Sequence, residues 1–350
     1  MKRLLATTIL ALALLLCAGH AEAQLAFDGE QIADAKLLAA AKAEGSINMF
    51  GTRPSESIGP VLDQFKKDTG LNLEYTRFPS NKVFERVNAE FAAGKLEADY
   101  IDLTDLTLLG EWVKMGVLAK YKVPDHDRID PAIKHPDGMW YYIARPSMMM
   151  AINTSEIAEA DAPKSWRESL DPKWKGKIGM QSIEVGGSAF SAQAFLRLKV
   201  VADAWQRLAA EEPRLYPSVA ALTTDLVRGR VGLAYIDASS VATQIQAGAP
   251  LKIILPSEGL VGFGVFGGIS VKAPHPNAAK LWMNYVTSKR GSALMSLSGA
   301  YGTHPDAPPP VAAGVALPKP DKVWTIPLAE WEKVSGPWTE EWQKIVAVKK

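Results

Sequence analysis

The chain has 350 residues, 39 Lys and Arg against 38 Asp and Glu, a formal charge of +1 and 47% hydrophobic residues. That length suffices for two lobes of about 150 residues each, with cores that need no covalent staple. The balanced charge argues against nucleic acid or an anionic membrane as partner, since both favour a basic excess, and a single Cys, Cys17, excludes an internal disulfide framework.

The first elements in chain order belong to an export signal. Lys2 and Arg3, the apolar run 4–17 and Ala21-Glu22-Ala23 before Gln24 follow the order of a secretory signal peptide with an A-x-A cleavage site. The apolar run is too short to span a bilayer comfortably, and no later run is long and apolar enough to do so. Leu16 stands where a lipid-attachment site before Cys17 wants a small residue. Residues 1–23 are therefore expected to be removed on secretion, leaving a chain without cysteine whose basic and acidic residues balance.

After an amphipathic start at 32–43, short apolar runs alternate with helix-period segments, the pattern of βα units on a mostly parallel sheet. The spacing predicts strands at 46–51, 71–77 and 98–103, with helices at 60–69, 81–93 and 104–115 stopped by Gly70, Gly94 and Gly116. The Asp-, His- and Pro-rich stretch 121–136 reads as a surface excursion. Strands at 139–144 and 147–153, parted by Arg145-Pro146, mark the first crossing between lobes.

A second series follows: a short helix at 163–170, a strand at 177–181, one or two helices over 187–205, a helix at 219–228, a strand at 231–236, a helix at 237–247 and a strand at 251–255. The Gly-laced strand 263–271 carries the chain back to helices at 276–288 and 290–298. The Pro-rich 305–320 is expected as an extended wrap, and 328–346 as a last helix bearing Trp331, Trp338 and Trp342. The expected fold is α/β and two-lobed, each lobe a mostly parallel sheet flanked by helices, with a hinge and a cleft between. Lobe I takes 24–145 plus about 264–300, lobe II takes 146–263, and 301–350 is left without a lobe. In such folds ligands sit at the carboxyl ends of strands and the helix starts that follow.

Several stretches resemble one family at the expected order and spacing. Phe65-Lys66-Lys67-Asp68-Thr69-Gly70 is similar to its F-x-x-x-T-G helix end, and Glu97-Ala98-Asp99-Tyr100 to its x-A-D-V strand start. Leu170-Asp171-Pro172-Lys173-Trp174-Lys175-Gly176-Lys177-Ile178 is close to its L-x-D-P-K-Y-K-G-K-I connector. Pro274-His275-Pro276-Asn277-Ala278-Ala279-Lys280 matches its A-P-H-P-x-A-A-K helix start, and Ser288-Lys289-Arg290-Gly291 looks like its S-x-E-G-Q turn with basic residues substituted. The chain thus resembles the type II periplasmic solute-binding proteins of ABC importers, in the branch of ferric-iron, polyamine, thiamine and phosphonate binders. The resemblance implies a periplasmic, monomeric, non-enzymatic receptor that closes its lobes on a small-molecule solute and hands it to an inner-membrane ABC permease, without a cofactor.

A receptor of this kind needs donors converging from helix starts, where free N–H groups and the macrodipole favour oxygen-rich or anionic ligands. Gly51-Thr52-Arg53-Pro54-Ser55 joins the first strand to its helix and offers Thr52, Arg53 and Ser55, with Arg53 suited to a bidentate grip on phosphate or carboxylate; plain helix capping and a solvated Arg are the alternative. Gly186-Gly187-Ser188 lets backbone N–H groups approach a ligand through Gly187 and Ser188, or is simply a loop with a Ser cap. Tyr235 and Asp237 end a strand at the cleft, Asp237 serving equally well as a helix cap. Thr104 and Asp105, with Asp102, form a weaker fourth group. The family's iron site does not carry over at the residues that matter: Tyr141-Tyr142 precedes the crossing, and only Tyr235 stands at the matching strand end. A small, anionic organic solute is expected, with no metal, and a ferric-iron receptor is the alternative.

Gly262-Phe263-Gly264-Val265-Phe266-Gly267 spells G-x-G-x-x-G, but strand continues after it and no Asp or Glu occurs through Ser298, so the dinucleotide fingerprint is absent. The mature chain has no H-E-x-x-H, G-x-S-x-G or G-x-x-x-x-G-K-[ST]. An exported hydrolase pairing Ser188 with a His is the rival class, and a sensor using the same cleft a third.

Overall fold

The computed structural model describes residues 24–347. The expected signal peptide and its cleavage site lie outside the described residues. A hairpin of β1 (Leu25–Phe27) and β2 (Glu30–Ala33) leads into α1 (Ala35–Glu44). Three βα units follow: β3 (Ser46–Gly51) with α2 (Ser55–Thr69), β4 (Asn72–Arg77) with α3 (Ser80–Ala92), and β5 (Tyr100–Leu103) with α4 (Leu106–Met115). The long β6 (Tyr141–Asn153) precedes β7 (Ile178–Gln181), α5 (Gly187–Phe195), α6 (Ala204–Ala210), β8 (Arg214–Tyr216), α7 (Val219–Val227), β9 (Leu233–Asp237), α8 (Ala238–Gln246) and β10 (Leu251–Ile254). Then come β11 (Leu260–Gly262), β12 (Val265–Ile269), α9 (Pro276–Thr287), α10 (Lys289–Leu297), β13 (Ala300–Tyr301), the hairpin β14 (Val311–Ala312) with β15 (Val315–Ala316), β16 (Val323–Trp324) and α11 (Leu328–Ala347).

The strands run in the order β4-β3-β5-β12-β6-β9-β7-β8. Pairing is parallel at each end, β4-β3-β5 and β9-β7-β8, and antiparallel through the middle. The expectation of mostly parallel sheets therefore holds at the two ends and not at the crossing strands. β5, β7 and β9 are buried along their whole length, with Asp102, Gln181 and Asp237 as their polar residues, whereas the edge strand β4 alternates exposed and half-buried residues.

β6 joins the halves. Its Tyr141, Tyr142 and Ala144 pair with β12, while Met148–Ile152 pairs with β9 and Ile152 and its neighbours with β10. Two strands were expected here because Pro146 interrupts the pattern. The strand instead continues through Pro146, which sits where β6 changes partners and so removes no N–H from a continuous ladder. The expected strand 263–271 is observed as the shorter β12, and β11 just upstream of it was not expected. α2 begins at Ser55, upstream of Pro60, and β8 was too short to show an alternation.

The returning helices pack on the first half. Trp282 and Tyr285 of α9 meet Phe65 edge-on at 5.2 and 5.1 Å, and Trp282 meets Tyr100 of β5. Asp99, fully buried, ties the same region together by accepting the backbone N–H groups of Asn48 at 2.7 Å and His275 at 2.6 Å. The Gly-rich 262–268 stretch has a packing cause: a Cβ on Gly267 would lie 2.6 Å from the Tyr100 ring.

Candidate functional site

The starts of α2, α3, α4, α5, α7 and α8 border one cavity of about 50 Å³ between the two half-sheets. The first half contributes Thr52, Arg53, Arg77, Ser80 and Thr104; the second contributes Gln181, Gly186, Ser188, Asp237 and Ser239. Pro146, Phe263 and Val265 of the crossing segments floor it. Each helix start brings roughly half a positive charge to the cavity, although several first-turn N–H groups are already taken, by Asp105, Ser218, Asp237 and Thr104.

Arg53 is only 4% exposed, yet no carboxylate lies within ion-pair distance of it among the described residues. Its guanidinium donates to Met295 Sδ at 2.8 Å and Ser298 Oγ at 3.1 Å, a thioether and a hydroxyl. Burial pulls its pKa down, with Tyr75, Asp237 and Asp102 acting the other way from a distance. Arg77, half-buried, donates Nε to the Thr52 carbonyl at 3.2 Å, and among the described residues its terminal nitrogens have no hydrogen-bond acceptor. Burial lowers its pKa too.

The carboxylates nearby are spoken for. Asp102 accepts the Thr52 N–H at 2.8 Å and its hydroxyl at 2.6 Å, and burial pushes its pKa up to about 6 against those bonds. Asp237 caps α8, accepting from Ser240 N at 3.0 Å, Ser240 Oγ at 2.7 Å and the Ser239 hydroxyl. The groups left with hydrogen to give are Arg53, Arg77, the Gln181 amide, the Thr104 hydroxyl and the Ser80 hydroxyl, which itself accepts the Thr104 N–H at 3.1 Å. The cavity is rich in donors.

Of the residues expected at the site, Thr52, Arg53, Thr104, Ser188 and Asp237 line the cavity. Tyr235 does not: it is 1% exposed, its hydroxyl lies 2.6 Å from Ser169 Oγ, and its ring meets Trp166 at 5.1 Å. Two residues before the strand end, it is deep enough for the core to claim it. Ser55 lies on the first turn of α2 beyond the lining, and Asp105 caps α4 by accepting from Thr107 N at 2.8 Å. The Gly187 N–H, expected to face a ligand, donates to Thr104 Oγ1 at 3.1 Å across the cleft. Arg77, Ser80, Gln181 and Ser239 were missed, although Arg77 ends β4 just as Arg53 follows β3, and the strand-end rule that selected Arg53 selects it equally.

No Tyr or His lines the cavity, so it lacks the phenolate and imidazole donors that hold ferric iron. Away from it, Glu30, Asp125 and His304 bring one ligand atom each within 4.8 Å. His304 Nδ1 accepts the Asp306 N–H at 3.1 Å, and Nε2, the nitrogen facing the carboxylates, lies 3.3 Å from Arg128 Nη1, so a guanidinium already stands at that nitrogen.

A model of the bacterial extracellular solute-binding protein family matches residues 98–323. The Fe(3+)-binding periplasmic protein of Serratia marcescens is 20% identical over 276 residues, covering 75% of this chain and 79% of that protein. The spermidine/putrescine-binding periplasmic protein of Escherichia coli is 24% identical over 252 residues, covering 68% and 70%. In structure, the substrate-binding protein of an ABC transporter from Agrobacterium tumefaciens superposes with a TM-score of 0.74 at 17% identity, over 87% of this chain and 96% of that one. The fructose-6-phosphate-bound periplasmic protein AfuA from Actinobacillus pleuropneumoniae gives 0.64 at 20% identity, over 87% and 97%. These likenesses establish the two-lobed periplasmic-binding-protein fold, and with the family model spanning well over half of its length, the chain belongs to the bacterial extracellular solute-binding proteins.

Proposed function

We propose that this protein is a periplasmic receptor that captures a small organic solute bearing a phosphate, phosphonate or carboxylate group and delivers it, as a monomer and without chemical change, to an inner-membrane ABC permease. Lobe I comprises 24–145 with about 264–300 and lobe II comprises 146–263; the change of pairing partners along β6 supports that boundary. The carrying observation is the buried, carboxylate-free guanidinium of Arg53 beside Arg77 in a donor-rich cavity. A buried cation without a counter-ion is costly, and an anionic ligand removes that cost on binding. Lobe closure would bring the second lobe's donors onto a solute first held by the arginines.

The test is a thermal-shift screen across sugar phosphates, phosphonates, small carboxylates, polyamines, thiamine and ferric salts, followed by calorimetry on the hits. A ligand present at 100 times its dissociation constant adds about 2.7 kcal/mol of stability. A hit confined to polyamines, thiamine or ferric ion would refute the anionic reading, and turnover of the bound compound would refute the receptor.

A further inference from the structure

The cleft is shut at one seam, and the contact there is between backbones. A Cβ built on Gly187 would lie 2.7 Å from the Thr104 carbonyl carbon and closer still to its oxygen, and one on Gly186 would lie 2.8 Å from Thr104 Oγ1. Thr104 belongs to the first half and Gly187 to the second, and the Gly187 N–H donates to Thr104 Oγ1 across the gap. Gly187 has helical backbone at the start of α5, so no turn requires glycine there; the space on the opposite lobe does.

The C-terminal helix backs the same seam. Trp331 of α11 packs on Phe190 at 4.7 Å, Trp338 on Trp205 at 5.6 Å, and Glu341 pairs with Arg197 at 2.7 Å, all within the second half. Towards the first half α11 offers Trp331 Nε1 to Thr107 Oγ1 at 3.0 Å and Ser335 Oγ at 3.3 Å from the same hydroxyl. We infer that Gly187 is a positioning residue for closure: only glycine lets α5 meet the Thr104 carbonyl, α11 travels with lobe II, and the Trp331–Thr107–Ser335 contact forms when the lobes shut. Gly187 acts on the solute through lobe position and not as a ligand donor. This rests on the receptor reading but not on which solute it binds.

The test needs no solute, so its outcome is separate from that of the ligand screen. In a Cys17→Ser background, Thr107→Cys with Ser335→Cys places two thiols across the seam, and oxidative cross-linking is followed on non-reducing gels. The parental pair should cross-link, and adding Gly187→Ala should slow the reaction at least tenfold. Gly186→Ala, which meets side-chain atoms able to shift, should slow it less. Because the added methyl's severe clash is with the opposite lobe's Thr104 carbonyl, the Trp331 ring edge at 3.1 Å can give by a few tenths of an ångström, and Ala is the better helix former, the melting temperature of Gly187→Ala should equal or exceed that of the parent. Equal cross-linking rates, a parental pair that does not cross-link, or a Gly187→Ala chain that melts earlier or fails to fold would each overturn the inference.

Discussion

Replacing Arg53 with Met should move stability and binding in opposite directions. The side chain is 4% exposed, has no carboxylate in ion-pair range, and its hydrogen bonds run to Met295 Sδ and Ser298 Oγ. Ser298 keeps its own bond to the Met295 carbonyl at 2.8 Å when the guanidinium goes. A Met of similar reach fills the space beside Met295 without the desolvated charge, and such exchanges are neutral or stabilising by about 1–4 kcal/mol when the ionic group is poorly compensated. Binding loses a charge-assisted hydrogen bond worth about 1.5–3 kcal/mol, or about 10- to 150-fold in dissociation constant. It also loses the cation that offsets Asp102 and Asp237, whose charges act on this position. Urea melts of the unliganded protein and calorimetry with an anionic hit from the screen read the two quantities separately. If Arg53→Met lost more than about 2 kcal/mol of stability while affinity held, Arg53 would be a strut for the end of α10, and the anion site would be refuted.

The other expectations concern neighbouring groups. Asp102, held at about 6 by burial, ionises as pH rises through that value and sets a negative charge near Arg53. Affinity for an anion should therefore fall across about pH 5–7, and Asp102→Asn should flatten the profile in calorimetry; an unchanged slope refutes the coupling. The same raised carboxyl contributes stability that is complete below its unfolded value of 3.8 and is lost as pH climbs through about 6. Tyr235→Phe removes the 2.6 Å contact with Ser169 and should cost about 1 kcal/mol in denaturant melts with affinity untouched; a tenfold affinity loss would return Tyr235 to the cleft. Asp99→Ala strands two buried N–H groups and the His275 ring, and should cost about 3–5 kcal/mol by urea melt. A loss below about 1 kcal/mol would show that water or a shifted backbone takes the carboxylate's place.

What the residue pattern could disclose depended on range. β3 was expected at its observed bounds because a short, mostly apolar run ends at Gly51, and α10 was read to within a residue because Ser288 caps it by accepting the Gly291 N–H. β6 was misread because the effect of Pro146 depends on which strands lie beside it, and those come from residues far along the chain. The same held at the site. Arg53 was found because it follows a strand and precedes a helix, a local signature. Tyr235 carried that signature too, but its depth below the strand end is set by Trp166 and Ser169, which belong to another connection. Gly187 was read as open to a ligand because a glycine pair looks the same in sequence whether a phosphate or another lobe approaches it.

The distinction between occupied and free donors makes the cleft specific. Thr52 is committed to Asp102, Ser239 and Ser240 to Asp237, and the Gly187 N–H to Thr104, so these hold the walls and cannot be turned to a ligand without breaking bonds already made. Arg53 and Arg77 on one side and the Gln181 amide on the other retain unused N–H groups, and the walls between them are Val185, Val219 and Phe263. A cation entering here would meet donors and two guanidinium charges, and an uncharged sugar would leave both arginines uncompensated. Under the proposed function, a ligand with acceptor oxygens and negative charge satisfies both sides at once, and discrimination against cationic solutes would come from repulsion as much as from attraction of the right one.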